Sequence, residues 1–142
     1  MSISMHSASA PVFVRQLNGM LAWLDKAEAH AQARSFDTSV YLSARLAPDM
    51  LPFVSQVRIA SDAAKGCIAR LAGMDVPRFE DNEATLDELR ERIRKTLAFV
   101  ESVPASAVDG SEGRDIEIPR RGGEVLRLKG EFFLKHWSLP NF

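Results

Sequence analysis

The sequence holds one cysteine, Cys67, and three histidines, His6, His30 and His136, among 142 residues. A lone cysteine excludes an internal disulfide framework and suits a reducing compartment. An excess of charge of either sign is missing as well: 18 Lys and Arg face 19 Asp and Glu, a formal net charge of -1. That balance gives no electrostatic footprint for nucleic acid or an anionic membrane. No apolar run approaches the ~18–20 residues that span a bilayer. The opening "MSISMHSASAP" lacks the basic start and continuous apolar stretch of a signal peptide. A glycine-rich phosphate loop is absent too, since "RRGGE" has neither the strand–loop–helix setting nor the Lys-Ser/Thr ending. The expectation is a cytoplasmic protein without nucleic-acid partner, membrane partner or cofactor.

What is present is ordinary for a globular chain, with 46% hydrophobic and 26% charged residues. The length suits one domain over 1–142, with a core large enough to need neither disulfide nor metal. Phe13, Leu17, Met20, Leu24, Ala27 and Ala31 recur every three or four residues and predict a first amphipathic helix. Ser9 is placed to cap it, with Pro11 in its first turn. "SFDTSVYLSARL" reads as a connection with one helical turn around Thr38–Leu42. A second stripe runs Met50, Val54, Val57, Ser61, Ala64, Ile68, Leu71, widened by Phe53, Ala60 and Cys67. Pro48 and Asp49 are expected in that helix's first turn, and Gly73 just past its end. Asp62 and Lys65 fall on its rim as a solvated pair.

Thr85 and Glu88 form a capping box for a third helix, whose stripe is Leu86, Leu89, Ile93, Leu97 and Val100. Glu88–Arg92 and Glu91–Lys95 have i,i+4 spacing, so the charge run reads as a solvated helix face. Between Arg114 and Gly130 the period drops to two: Ile116 and Ile118, then Leu126 and Leu128, flank the turn-forming stretch Pro119–Gly123 and predict a β-hairpin. Phe132, Phe133, Trp137 and Leu139 then open a fourth helical segment, interrupted at Pro140. The fold expected is mainly all-α: an up-down four-helix bundle with a small hairpin between helices three and four, and a short fourth helix.

The stretches "APVFVRQLNGMLAWLDKAEAHA", "SARLAPDMLPFVSQVRIASDAAKG", "FEDNEATLDELRERI" and "LPNF" resemble the bacterial family known as domain of unknown function 1993. That family is one of the DinB-like, or YfiT-like, group of four-helix bundles, and the resemblance covers residues 5–142. It implies the helix order above. It also implies a fourth helix that normally continues past "LPNF" into an aromatic, His-containing stretch, so the closing helix is expected to be truncated here.

Metal sites of DinB-like proteins use three histidines, one on the second helix and two on the fourth; neutral imidazoles suit zinc or nickel. Here the second helix carries no His, and Gln56 stands roughly where a ligand is implied. His136 has no partner four residues away. The expectation is therefore no bound metal. Candidate ligand-contacting residues are Gln56, Asp62, His136, Trp137 and Asn141. Cys67, on the apolar stripe, is expected to be a buried, inert thiol. His30 is placed to complement a helix end, and Trp23, Tyr41 and Trp137 suit core or interface positions. Two function classes follow: a metal-free bundle serving as a small-ligand binding or assembly module, or a metal-dependent, thiol-using transferase whose site is completed beyond residue 142. A groove left by a short fourth helix is expected to be closed by a second copy, a homodimer through the fourth-helix region with Phe132, Phe133, Trp137, Leu139 and Phe142 near the contact.

Overall fold

Three of the four periodic stretches form long helices in the computed structural model, which describes residues 2–120 and 122–142. Helix α1, Ala10–Arg34, buries Phe13, Leu17, Leu24 and Ala31 along one face and carries Pro11 in its first turn. Ser9 does not cap it. Residues 4–10 already form a turn, with the Ala10 amide donating to the His6 carbonyl, and the Ser9 hydroxyl points back to donate to the Met5 carbonyl at 2.6 Å. Helix α2, Ser39–Ser43, is the single turn expected in the connection.

Helix α3, Phe53–Ala72, begins later than its stripe suggests. Pro52 sets the start: it stands at the N-cap in an extended conformation, φ -67° and ψ 162°, and a proline disfavours helical backbone in the residue before it. Met50, Pro48 and Asp49 are thereby left in the connection, so neither Pro48 nor Asp49 serves a helical turn of α3. The helix stops at Gly73, whose left-handed φ of 69° suits glycine. Helix α4, Leu86–Ser102, has the expected capping box: the Glu88 amide donates to Thr85 Oγ1 at 3.1 Å, and the Thr85 amide to Glu88 Oε2 at 3.0 Å. All five residues of its stripe are buried.

A short α5, Ala105–Val108, leads to the hairpin of β1, Asp115–Pro119, and β2, Val125–Lys129. Its register pairs Ile116 with Leu128 and Ile118 with Leu126 on one face, which packs on the core. The other face carries the ion pairs Glu117–Arg127 and Asp115–Lys129. Arg121, within the predicted turn, lies outside the described residues.

The closing segment is helical: α6, Gly130–Phe133, a wider π-helical turn over Leu134–Ser138, and α7, Leu139–Asn141. Pro140 does not interrupt it. The missing amide and the ring of Pro140 are accommodated where the turns upstream widen, the Leu139 amide bonding to the Leu134 carbonyl five residues back.

Helix α4 packs along both α1 and α3, while α1 and α3 touch each other little. A groove is left between those two helices, and the closing segment enters it. Phe133 and Leu134 are buried at its base, Ser138 lies beside Cys67, and Phe142 meets Phe13 edge-on at 4.9 Å. The mainly helical fold with its small antiparallel hairpin is thus the one expected. No helix among the described residues is long and apolar enough to cross a membrane.

Candidate functional site

The five candidate residues do not converge. Asp62, on the α4 side of α3, binds Lys65 at 2.7 Å and Arg92 at 3.0 Å. His136 is exposed on the closing segment against Phe132, with ring centroids 4.7 Å apart. Trp137 is half-buried beneath the Arg120 guanidinium, and Asn141 donates to the Trp137 carbonyl at 2.6 Å. Gln56 faces the groove between α1 and α3, its Nε2 donating to the Leu51 carbonyl at 3.2 Å.

The charge run of α4 is a solvated face only in part: Glu88, Glu91 and Lys95 are exposed, but Arg90 and Arg92 are buried. Arg92 is 3% exposed and spans the gap between α3 and the loop before α4. It binds Glu83 at 2.8 Å, Asp81 and Asp62 at 3.0 Å each, and the Glu80 carbonyl. Glu88, its expected partner, is held by the cap, and no ion pair joins Glu91 to Lys95 among the described residues. Lys65 is buried too, its ammonium 4.9 Å above the Phe79 ring, so only the Asp62 half of the Asp62–Lys65 pair is solvated. Arg90 ties α4 to α1 through Asp25 and Glu28. The cleft of about 340 Å³ over this network is lined by charges of both signs, Arg78, Glu80, Glu83, Glu91 and Lys95 among them. At its floor Arg92 and Glu83 are paired with each other, which makes that part a tie between α3, the loop and α4.

Glu83 carries a pH dependence. Burial raises its carboxyl, and hydrogen bonds from Arg92 and Arg58 outweigh that, leaving it below its ordinary value of 4.5. A carboxylate depressed in the folded state contributes stability above its unfolded pKa and loses it as pH falls through the folded value. Urea melts should therefore show a fall in stability as the pH drops below about 4.3, the unfolded carboxylate value. Glu83→Gln should be less stable at pH 7 with a shallower fall. An unchanged acid dependence in that variant would remove Glu83 from the account.

Cys67 is fully buried on α3, and burial pushes its thiol up to about 12, against smaller opposing effects from Ser138 and Arg70. The thiolate is the reactive form, so this thiol is inert in the folded protein. Labelling with a disulfide reagent at pH 8 should proceed only through opening of the fold, at least a hundredfold slower than in urea. A rate near that of a free thiol would contradict the burial.

The concavity with a different character lies where α1, α3 and the connection between them meet. Its volume is about 470 Å³, and its wall is Trp23 and Ala27 from α1, Tyr41 from α2, Leu46, Met50 and Leu51 from the connection, and Phe53 at the start of α3. Arg45 and Gln56 complete it. It adjoins a smaller space of about 230 Å³ in the groove proper, bounded by Met20, Val57, Ala60 and Phe142. Trp23, given a core or interface role above, is 59% exposed here. Ala27, Met50 and Phe53 were read only as helical-stripe positions, and Leu46 and Leu51 were not singled out by sequence reasoning, because the connection carries no period of its own. The available signal was composition: "YLSARLAPDMLPF" is too apolar for a solvated loop.

The donor set does not fit the three-histidine metal site implied above. His6 lies in the turn before α1, His30 lies on α1 against Phe36, and His136 is exposed on the closing segment. Among the described residues, no group of three His, Cys, Asp or Glu side chains is arranged to hold a metal ion. The groove position on α3 is an amide, Gln56, a poor transition-metal ligand.

A family model described as "Domain of unknown function (DUF1993)" matches residues 5–142. Among solved structures, a DinB family member protein from Shewanella denitrificans matches with a TM-score of 0.85 and 33% identity, covering 96% of this chain and 76% of that one. No curated protein shows significant similarity.

Proposed function

The chain belongs to the DUF1993 family of DinB-like bundles, and on that premise we propose that it is a binding module for a small apolar ligand. The observation that carries this reading is the cavity of about 470 Å³ between α1, α3 and the connection, walled by aromatic and aliphatic side chains with few polar groups. Ligand sites have that volume range and that composition. The metal-dependent transferase reading, with a site completed beyond residue 142, is less favoured because the histidine it needs on the second long helix is missing from α3.

Trp23 and Trp137 are the two tryptophans, and Trp23 alone lines the cavity. In a Trp137→Phe background, titration with 1-decanol should change Trp23 emission saturably, and Ala27→Phe or Ala44→Phe, which fill the space without adding a second tryptophan, should abolish the change. A non-saturable response, or one indifferent to filling, would refute the reading.

Assembly of two copies is a second reading. It is supported by the exposure of Leu46 at 95%, Trp23 at 59%, Leu51 at 54% and Phe132 at 53%. Phe132 is the exposed member of the five fourth-helix residues expected near a contact; Phe133 is buried in its own chain. Light scattering at micromolar concentration should give a dimer that Leu46→Glu converts to monomer. A monomer at every concentration would remove this reading.

A further inference from the structure

We infer that the ligand of this cavity is an apolar monocarboxylate, a medium-chain fatty acid in its simplest form, with Arg45 as the anchor for its head. This rests on the binding reading above and goes on to name the ligand's chemistry. Arg45 is the one ionised side chain in the cavity wall, and no carboxylate lines it. Among the described residues no Asp or Glu forms an ion pair with Arg45, which is exposed at the cavity rim, whereas the buried Arg90 and Arg92 are each held by several acids. Arg45 Nη1 donates to the Met50 carbonyl at 2.6 Å. That bond tethers the guanidinium at the cavity rim and leaves its other N–H groups open to a ligand. A planar fork tethered beside an apolar concavity matches a carboxylate joined to a hydrocarbon body, since two parallel N–H donors meet the two carboxylate oxygens. Trp23, Leu51 and Phe53 supply the apolar wall for the chain, and the adjoining space toward Phe142 extends the path available to it. A neutral apolar ligand would gain nothing from the guanidinium, which water already solvates, and a dianion would exceed the single positive charge present.

The test compares decanoate with 1-decanol, equal in chain length and different in the head, by Trp23 emission in the Trp137→Phe background at pH 7.5. Decanoate should bind at least tenfold more tightly than decanol. Arg45→Gln should remove that gap by lowering decanoate affinity to that of decanol in the same variant, and Arg45→Lys should keep part of it. Circular dichroism confirms that the variants fold, as expected for an exposed side chain. Decanol binding with no preference for decanoate, or a preference that survives Arg45→Gln, would overturn this inference and leave the binding reading standing. Failure of both compounds to bind would overturn the binding reading, and this inference with it.

Discussion

Gly130→Ala is expected to destabilise the protein by about 3 kcal/mol or more, the upper range for forcing atoms into a packed site. A Cβ at Gly130 would stand 1.9 Å from the Ser111 carbonyl oxygen and 3.0 Å from its carbon, both backbone atoms that no rotamer change can move. The contact is close because the closing segment starts there: the Gly130 amide donates to the Arg114 carbonyl at 2.9 Å, and the Glu131 amide to the Glu112 carbonyl at 3.0 Å. Making room for a methyl group separates these strands of backbone and loosens Phe133 and Leu134, which fill the groove behind them. Three kcal/mol corresponds to roughly 10 °C in melting temperature for a domain of this size. Gly113→Ala is the control, since its added Cβ meets nothing within 4 Å and should change stability by no more than about 0.5 kcal/mol. A Gly130→Ala protein as stable as the Gly113→Ala protein would mean that the closing segment is not docked on the 111–114 loop.

Arg92→Ala is expected to cost about 3 kcal/mol, at the low end for breaking a buried ion pair by removing one partner. The cost lies mainly in what is left behind. Glu83 has a side chain only 7% exposed and would keep Arg58 as its one cation, at 2.6 Å. Asp62 and Asp81 are 47% and 60% exposed, and water can compensate them at little cost. Arg92→Lys should recover less than half of the loss, because one ammonium cannot reach acceptors on α3 and the loop together. Arg92→Leu combined with Glu83→Leu should be closer to the parent than Arg92→Leu alone, since replacing a buried pair with apolar groups is often near neutral. Additive losses in that pair of variants would show that Arg92 and Glu83 do not act as a unit.

The difference between these arginines and the helical stripes marks what sequence reading reaches. Phe13 to Ala31, Val54 to Leu71 and Leu86 to Val100 were legible because a helix repeats its buried face every three to four residues, a local property. The capping box at Thr85 and the stop at Gly73 were legible for the same reason, as was the hairpin from the alternation of Ile116 and Ile118 with Leu126 and Leu128. Arg92 was misread because its partners at 62, 81 and 83 come from another helix and a loop, while Glu88 at the favourable spacing is taken by the cap. The cavity wall was hidden for a related reason. Tyr41, Leu46, Met50 and Leu51 belong to a connection, where side-chain direction follows from tertiary packing and from Pro52 rather than from any period. Gln56 alone of the five candidates reached the cavity, on the strength of its helical register; Asp62, six residues on, turned toward Arg92 instead.

Methyl NMR of the methionines during titration with 1-decanol tests the central claim, a ligand site in the α1–α3 groove. Met20 and Met50 line the two adjoining spaces. Met74 follows the far end of α3, a 20-residue helix about 30 Å long, and Met5 is buried in the turn before α1. Saturable shifts at Met20 and Met50, with Met5 and Met74 unmoved, are the predicted result. Shifts spread evenly over all four, or confined to Met5 and Met74, would contradict the account.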